Sequence, residues 1–496
     1  MALYQIVAEW TTYLTFYLLC AVFIAFVGYC LYVWHIHQKY DHIPGPPRDN
    51  FLLGHIPTFR REMNSDRVIH DRFLEWTEKY GPVYRINTFH TVSLVVSCPE
   101  ATKEILMSPK YSKDPLAYKR IFHLFGLRFL GNGLVTAVDH DTWYKQRRIM
   151  DPAFSSSYLR GLMDTFNERA ECLMQHLEVI AEERTIANMH RMVNCVTLDV
   201  ICKVAFGVDL DLLKHPDSPF PNAIDLCLQG MIQDIRDPFF RHSPWNRKKV
   251  REIQEAVKLL RTTGAKWINQ RRKAVENAED VPKDILTKIL KTAGKQENHE
   301  VMLDNFVTFF IAGQETTASQ LSFAIMELGR HPEILKRTKE EVDEVLGTRR
   351  DVLYEDLGKL TYLTQVLKET LRLYPPAVGT SLVDECICKG SYLLLYLPLK
   401  YDFFFFFFFF FFFFFFFFFL LLLLLLLFYY PFSLGPRSCL GQTFSQMEAK
   451  VVLTKFLQRF DFSLVPGQSF DIKDTGSLRP RSGVLCTIKH CAKSTF

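Results

Sequence analysis

From Trp10 to Trp34 no side chain carries a charge. As a helix these residues would span roughly 37 Å, more than the hydrocarbon core of a bilayer at about 30 Å. The chain is therefore expected to begin with a membrane anchor. The rival reading is a cleaved signal peptide, but the apolar stretch is long for one and lacks both the basic leading region and the small-residue cleavage text. Glu9 is the only side-chain charge ahead of the run, while Lys39 and Arg48 follow it. That bias puts the bulk of the chain on the cytoplasmic side. The expected organisation is a luminal N-terminus over 1–9, the anchor over 10–34, a Pro-rich hinge over 35–50 and one large domain over 51–496. Within the hinge, Ile43 to Pro47 reads IPGPP. Its prolines fix φ and withhold backbone donors, which makes a semi-rigid strut rather than a loose tether.

A chain of 496 residues is long enough for one extended enzyme core. Its 59 basic and 54 acidic side chains leave a formal charge of +5, which argues against a dedicated nucleic-acid binder. The 12 cysteines contain no CxxC pair and no regular zinc spacing. Cys195, Cys202 and Cys227 lie in apolar helical text and Cys20 and Cys30 in the anchor, where free thiols act as small hydrophobes. A reducing compartment follows.

Between 51 and about 300 the text is mainly amphipathic helix, broken by β-branched runs such as Val92 to Val96 that read as strands. The expected fold class is mainly α with a minor β part. Charged stretches such as Arg247 to Val257 and Lys336 to Val345 read as solvated helix faces. A long helix is expected from about Asp304 to Arg330, ending before His331 and Pro332. At its centre is AGQETT, residues 312 to 317, where Gly313 signals either close packing or a local opening. A second helix is expected from Lys359 to Tyr374, with Glu369 and Arg372 on one face. As an exposed pair these two would contribute only about 0.3 to 0.5 kcal/mol.

Phe403 to Phe419 is phenylalanine alone and Leu420 to Leu427 leucine alone. A uniform run has no period that could define a buried face, and no varied shapes to interlock in a core. Intron or simple repeat read as coding sequence accounts for it better than a second membrane span does. The anomalous segment is taken as about 389–427.

Residues 432 to 441 read FSLGPRSCLG, with Phe432, Gly435, Arg437, Cys439 and Gly441 in the spacing FxxGxRxCxG. A thiolate there could donate charge to an iron, the glycines admit backbone beside a flat macrocycle, and the arginine can pair a carboxylate. A helix opening just after Cys439 would aim N–H groups at the sulfur.

On these residues the chain resembles the cytochrome P450 family of haem-thiolate monooxygenases. AGQETT resembles the oxygen-activation segment of the family's long helix, Glu369 and Arg372 its ExxR pair, and Trp143 with Arg147 its WxxxR pair. The resemblance runs from IPGPP through KYGPV, KQRR, DNFVTFFIAGQET, QVLKETLRLYPPA and PFSLGPRSCLGQ to LVPGQ. It implies a single haem domain behind the anchor, haem b held through Cys439, and Phe432, Gly435, Arg437, Gly441, Trp143 and Arg147 around that cofactor. It also implies Glu315 and Thr316 as an acid and alcohol that relay protons. Within the family the resemblance is closer to hydroxylases of sterol side chains. For those, Tyr118, Ile121, Leu130, Val135, Ala312, Ala377 and Gly476 are implied pocket residues. The implied partners are an NADPH-dependent P450 reductase, dioxygen, a sterol or other lipophilic substrate and membrane lipid, with no nucleic acid. The implied location is the endoplasmic reticulum membrane, facing the cytosol.

The family also places an arginine between the ExxR helix and the cysteine loop, and here none occurs between Arg372 and Arg437. A second expectation is therefore a non-catalytic chain that holds haem poorly and aggregates through its apolar run. A third keeps the thiolate ligation but rearranges a peroxide, which the Glu315 and Thr316 pair argues against.

Overall fold

The structure is a computed structural model, and it describes residues 2–65, 67–108, 110–237, 239–293, 298–377, 379–384, 391–396 and 430–491. The homopolymer, and the stretch expected to hold the missing arginine, lie largely outside these residues. The chain divides into two compact units, one of residues 1–102 with 379–397 and one of 103–378 with 398–496.

The first unit opens with a single helix, Ala2–Tyr40, which passes through the uncharged run without interruption. Its apolar side chains face outward, with Trp10 73% and Phe23 67% exposed. Ahead of Tyr29 the helix is apolar all round and is not covered by other described residues, and by length and composition it could cross a membrane. Short amphipathic helices, Ile56–Asn64 and Ile69–Tyr80, follow. Phe59, Phe73 and Trp76 from these helices form one aromatic cluster, with the Trp76 ring set against Tyr84. Val83–Thr88 and Thr91–Val96 form a hairpin with Thr88 opposite Thr91. The expected strand at Val92 to Val96 is thus present, and Ser391–Tyr396 runs parallel beside it. Gly379–Asp384 closes this part of the sheet antiparallel to Ser391–Tyr396.

The second unit is built around the 32-residue helix His299–Arg330, about 48 Å long at 1.5 Å per residue. It packs against the helices Met189–Phe206, Thr361–Leu373 and Gln442–Arg459. It begins earlier than its text suggests. Asn298 is the cap, accepting the backbone N–H groups of Glu300 and Val301, whereas Asp304 lies a turn and a half inside the helix and is fully buried. At Gly313 close packing wins over a local opening. A Cβ there would stand 2.7 Å from Ile201 of the neighbouring helix. The C-terminus falls at Arg330 as expected, because Pro332 starts the next helix.

The second expected helix is divided. Asp356–Lys359 makes one turn, Leu360 leaves the helical region at φ −72° and ψ 67°, and Thr361–Leu373 continues. The charged text of Arg247–Glu276 and Pro332–Leu346 forms outer faces over narrow buried stripes, Ile253, Val257 and Leu260 in one and Val342 and Leu346 in the other. A three-stranded sheet, Ile186–Asn188, Leu485–His490 and Phe460–Leu464, and hairpins of Ile472–Asp474 with Leu478–Pro480 and of His123–Leu124 with Leu127–Arg128 belong to the minor β part. Cys202 and Cys227 are fully buried free thiols and Cys195 a half-buried one, which fits their apolar text.

Candidate active site

The site is built on a loop that cannot be made from ordinary residues. Ser433 and Gly435 both adopt left-handed backbone, with φ 61° and 71°. A Cβ on Gly435 would lie 2.4 Å from the Leu106 carbonyl oxygen. The loop is closed by backbone bonds from Cys439 N–H to Phe432 O at 2.8 Å and from Ser438 N–H to Gly435 O at 3.1 Å. Helix Gln442–Arg459 then opens with Gly441 as its cap. Cys439 therefore sits just ahead of a helix N-terminus, where partial positive charge accumulates. Its side chain is open to solvent on one side and enclosed by protein on the others. Enclosure pushes the thiol pKa up, while the Gly441 N–H and the positive charge of Arg147 pull it down.

Helix His140–Met150 meets this loop. Asp139 caps it by accepting the Thr142 N–H at 2.7 Å. Trp143, 3% exposed, faces inward. Arg147 donates to Ser438 O at 2.7 Å, beside the cysteine, and to Asp151 at 2.6 Å. Arg437 donates to Ala137 O at 2.6 Å and Val138 O at 3.2 Å, with its guanidinium 4.6 Å from the Trp143 ring centre. Trp143, Arg147, Arg437 and Cys439, separated by almost three hundred residues, are thus brought together.

A fifth residue joins them that sequence reasoning missed. Lys113 lies over the Tyr118 ring and donates to Val135 O. Burial, with Arg437 nearby, pulls its pKa down to about 7. Among the described residues no carboxylate forms an ion pair with it. Burial lowers the Arg437 pKa as well. A confined cation with no ion-pair partner among the described residues suits an anion-binding site.

The central helix offers a second approach. On a helix that is mostly buried, Ala312 is exposed and Thr316 half-buried, one turn apart. Thr316 Oγ1 donates to Ala312 O at 2.9 Å, the common local bond of a helical threonine. Glu315 is not brought beside that hydroxyl, because adjacent helical residues diverge by about 100°. Its carboxylate accepts Ser477 Oγ at 2.7 Å and Asn194 Nδ2 at 3.3 Å, with Arg479 4.0 Å away. Burial raises its pKa against the lowering effect of Ser477 and Arg479. The acid and the alcohol expected to act together therefore face different sides of the helix here.

Glu369 and Arg372 pair in fork geometry at 2.6 and 2.8 Å, with Glu369 54% exposed. Thr317 donates to Ser445 at 3.2 Å, and Gln320 to Leu367 O at 3.4 Å, joining the central helix to the cysteine-loop helix and the ExxR helix. Of the expected pocket residues, Tyr118 and Ile121 lie on helix Pro115–Phe122 and Leu130 and Val135 on the loop after it. Ala377 and Gly476 come close through a bond from Leu478 N–H to Pro376 O at 3.0 Å. Gly476 has φ 101° and faces Leu228.

The comparisons with known proteins agree with this geometry. The cytochrome P450 family profile matches residues 44–388 and 427–489, passing over the homopolymer and resuming ahead of the cysteine loop. The chain is 26% identical over 445 residues to cytochrome P450 4d8 of Drosophila melanogaster, covering 82% of this chain and 94% of that protein. It is 28% identical to carotene epsilon-monooxygenase of Arabidopsis thaliana, covering 83% of this chain and 80% of that one. It is 27% identical to a bifunctional cytochrome P450/NADPH–P450 reductase of Aspergillus oryzae, covering 88% of this chain and 40% of the fusion. With a profile match over most of its length and a cysteine loop docked on Trp143 and Arg147, the chain belongs to the cytochrome P450 family.

Proposed function

We propose that the protein is a membrane-anchored monooxygenase of a lipophilic substrate, in which Cys439 would hold haem b through its thiolate. The family implies haem, a redox partner, dioxygen and a lipophilic substrate. The observation that carries the assignment is the meeting of Trp143, Arg147 and Arg437 on the cysteine loop. The residues fit the cofactor. A thiol open on one side stands beside Arg147, Arg437 lies two residues before it in the same loop, and Lys113, near Arg437, has no ion-pair partner among the described residues. Arg147, Arg437 and Lys113 would hold the propionates, while Phe432, Gly435 and Gly441 shape the loop around the sulfur.

When bound, the haem supplies the chemistry of inserting one oxygen atom of dioxygen into an unactivated C–H bond. The chain's contribution is to set the thiolate's charge and to bring protons. The Gly441 N–H and the helix N-terminus temper the charge on Cys439. Thr316 presents its hydroxyl on the accessible strip of the central helix. Glu315, whose pKa burial raises, would be the proton reserve one residue away. It would reach Thr316 only by leaving Ser477.

The substrate we infer is a sterol side chain, as in cholesterol 24-hydroxylase. What supports this is the run of matching text from IPGPP to LVPGQ. Lys145 and Arg148, exposed on the helix whose Arg147 meets Ser438 beside Cys439, suit an acidic NADPH–cytochrome P450 reductase. The fused reductase of the Aspergillus oryzae relative is consistent with such a partner. We place the anchor in the endoplasmic reticulum with the domain facing the cytosol, from the charge bias around it, and keep the domain limits 1–9, 10–34, 35–50 and 51–496.

A second reading is favoured by one observation. The profile match lapses between 388 and 427, where the family's further arginine is missing. In that reading the chain as written is anchored but inactive. One preparation separates the two. The full chain, expressed with reductase, is scored for the carbon monoxide difference band of thiolate-bound haem and for NADPH-dependent hydroxylation of cholesterol. Band and hydroxysterol together support the monooxygenase, a band with another product overturns only the sterol, and no band favours the inactive chain.

A further inference from the structure

The accessible strip of the central helix has a closed end. Seven and eleven residues turn a helix to within about 20° of whole turns, so Asn305 lies on the same face as Ala312 and Thr316. It precedes them by about 10 and 16 Å. At that end the loop 128–136 is fastened to the helix. The Asp304 carboxylate is 0% exposed. It accepts Arg128 Nε at 3.0 Å and Nη2 at 2.6 Å, Arg261 Nη1 at 2.9 Å and the Asn132 N–H at 2.7 Å. Asn305 Oδ1 accepts the Leu134 N–H at 2.8 Å, and its amide donates to Gln146 at 2.8 Å.

The loop supplies glycine where the helix presses hardest. A Cβ on Gly131, at φ +50°, would lie 2.1 Å from Asp304 Oδ1, and one on Gly133 would lie 2.8 Å from Thr308 Oγ1. The charges are balanced as well, since Glu300 lies 2.9 Å from Arg261 and 3.3 Å from Arg128. Two carboxylates and two guanidiniums thus close the fastening. Its two arginines are unequal, however. Arg261 is 13% exposed and Arg128 34%, so Arg128 can let go into water while Arg261 still neutralises Asp304.

We propose that Asp304, Asn305 and Arg128 are positioning residues forming a latch. They hold the loop that carries Leu130 and Val135 across the N-terminal end of the accessible strip, and so control entry of ligands to Ala312 and Thr316. The part concerning ligands rests on the strip being the substrate side of the haem. The latch itself does not.

The test is Arg128→Gln in the full anchored chain, with Gly131→Ala as an independent lesion from the loop side. Hydrogen exchange at the Asn132 and Leu134 amides should quicken about tenfold or more, the scale of one charge-assisted bond. Amides of the central helix beyond Ala312 should be unchanged. Association of 4-phenylimidazole with the haem, read by absorbance in stopped flow, should quicken while the carbon monoxide band is retained. Unchanged exchange in both variants overturns the latch. Faster exchange with unchanged association overturns its control of entry. Exchange is read with and without haem, so a chain that takes up no haem sinks the monooxygenase reading while the latch is still decided by exchange.

Discussion

Gly435→Ala tests whether the cysteine loop is as tightly determined as its geometry implies. The new Cβ would meet the Leu106 carbonyl oxygen at 2.4 Å and Met107 Cα at 3.2 Å. Ordinary contact begins near 3.4 Å, so the loop must retreat by about 1 Å from a backbone that cannot rotate aside. Left-handed backbone costs an L residue about 1 to 2 kcal/mol, and overpacking adds about 1 to 3 kcal/mol. The expected total is about 2 to 5 kcal/mol. Retreat of the loop also loosens Arg437 from Ala137 and Trp143, two residues before the thiolate. The strain is therefore expected to appear locally. In denaturant titrations of the haem-loaded protein, the absorbance of the haem should be lost well before the helical circular dichroism. The carbon monoxide band should weaken in proportion. If the haem transition of Gly435→Ala lies within about 0.5 kcal/mol of the parent, the range of a neutral surface change, the loop is not so constrained and the reasoning fails.

Lys113→Met should make the haem-free protein more stable than the parent, by a margin that grows as pH falls from about 10.5 to about 7 and is constant below that. The native lysine has a depressed pKa, so over that range the unfolded chain holds a proton that the folded state does not; haem retention should weaken in the same variant, and unaltered retention would count against propionate contact. Glu448 is fully buried, its carboxylate oxygens are left without a close hydrogen-bond partner among the described residues, and burial raises its pKa well above 4.5 against the lowering effect of Thr317. The folded state then holds a proton the unfolded chain gives up, so stability should decline as pH rises above about 4.5. Glu448→Gln should flatten that decline, and a parallel curve would show that Glu448 is not its source. Thr316→Ala should divert reducing equivalents from product to hydrogen peroxide, measured by peroxide formed per NADPH consumed; unchanged coupling would remove Thr316 from proton delivery.

What sequence could and could not reveal follows from how far each feature reaches along the chain. The anchor and the cysteine loop are local. One is a run of uncharged residues, and in the other glycine at 435 is required by a backbone angle, so both were legible. The central helix was legible in type and C-terminus because Pro332 stops it. Its start was misplaced because Asp304 resembles an N-terminal acid. The true signal, Asn298 with Glu300 two residues on, lay in less periodic text. Lys113 was invisible, since its role comes from approaching Arg437 across more than three hundred residues. The Glu315 and Thr316 pair is expected to act as a unit only through the resemblance to the family. Which way the carboxylate turns depends on Ser477, 162 positions away.

The anchor helix and the strut after it carry a mechanical consequence. Tyr29 Oη lies 3.1 Å from His90 Nδ1, and His37 Nε2 lies 3.1 Å from Phe89 O, both at the tip of the hairpin. Asp41 meets Arg48 at 2.8 Å and Arg85 at 3.0 Å, while Arg85 N–H bonds Pro44 O at 2.8 Å. A swivel would leave the strands free to adopt any angle to the bilayer. A joint gripped on the helix, on the strut and by two arginines works as a lever instead. When a thinner or thicker bilayer tilts the helix to match its apolar length, the strand Val83–Thr88 must turn with it. Lipid composition is then a torque on this sheet as well as a solvent for its anchor.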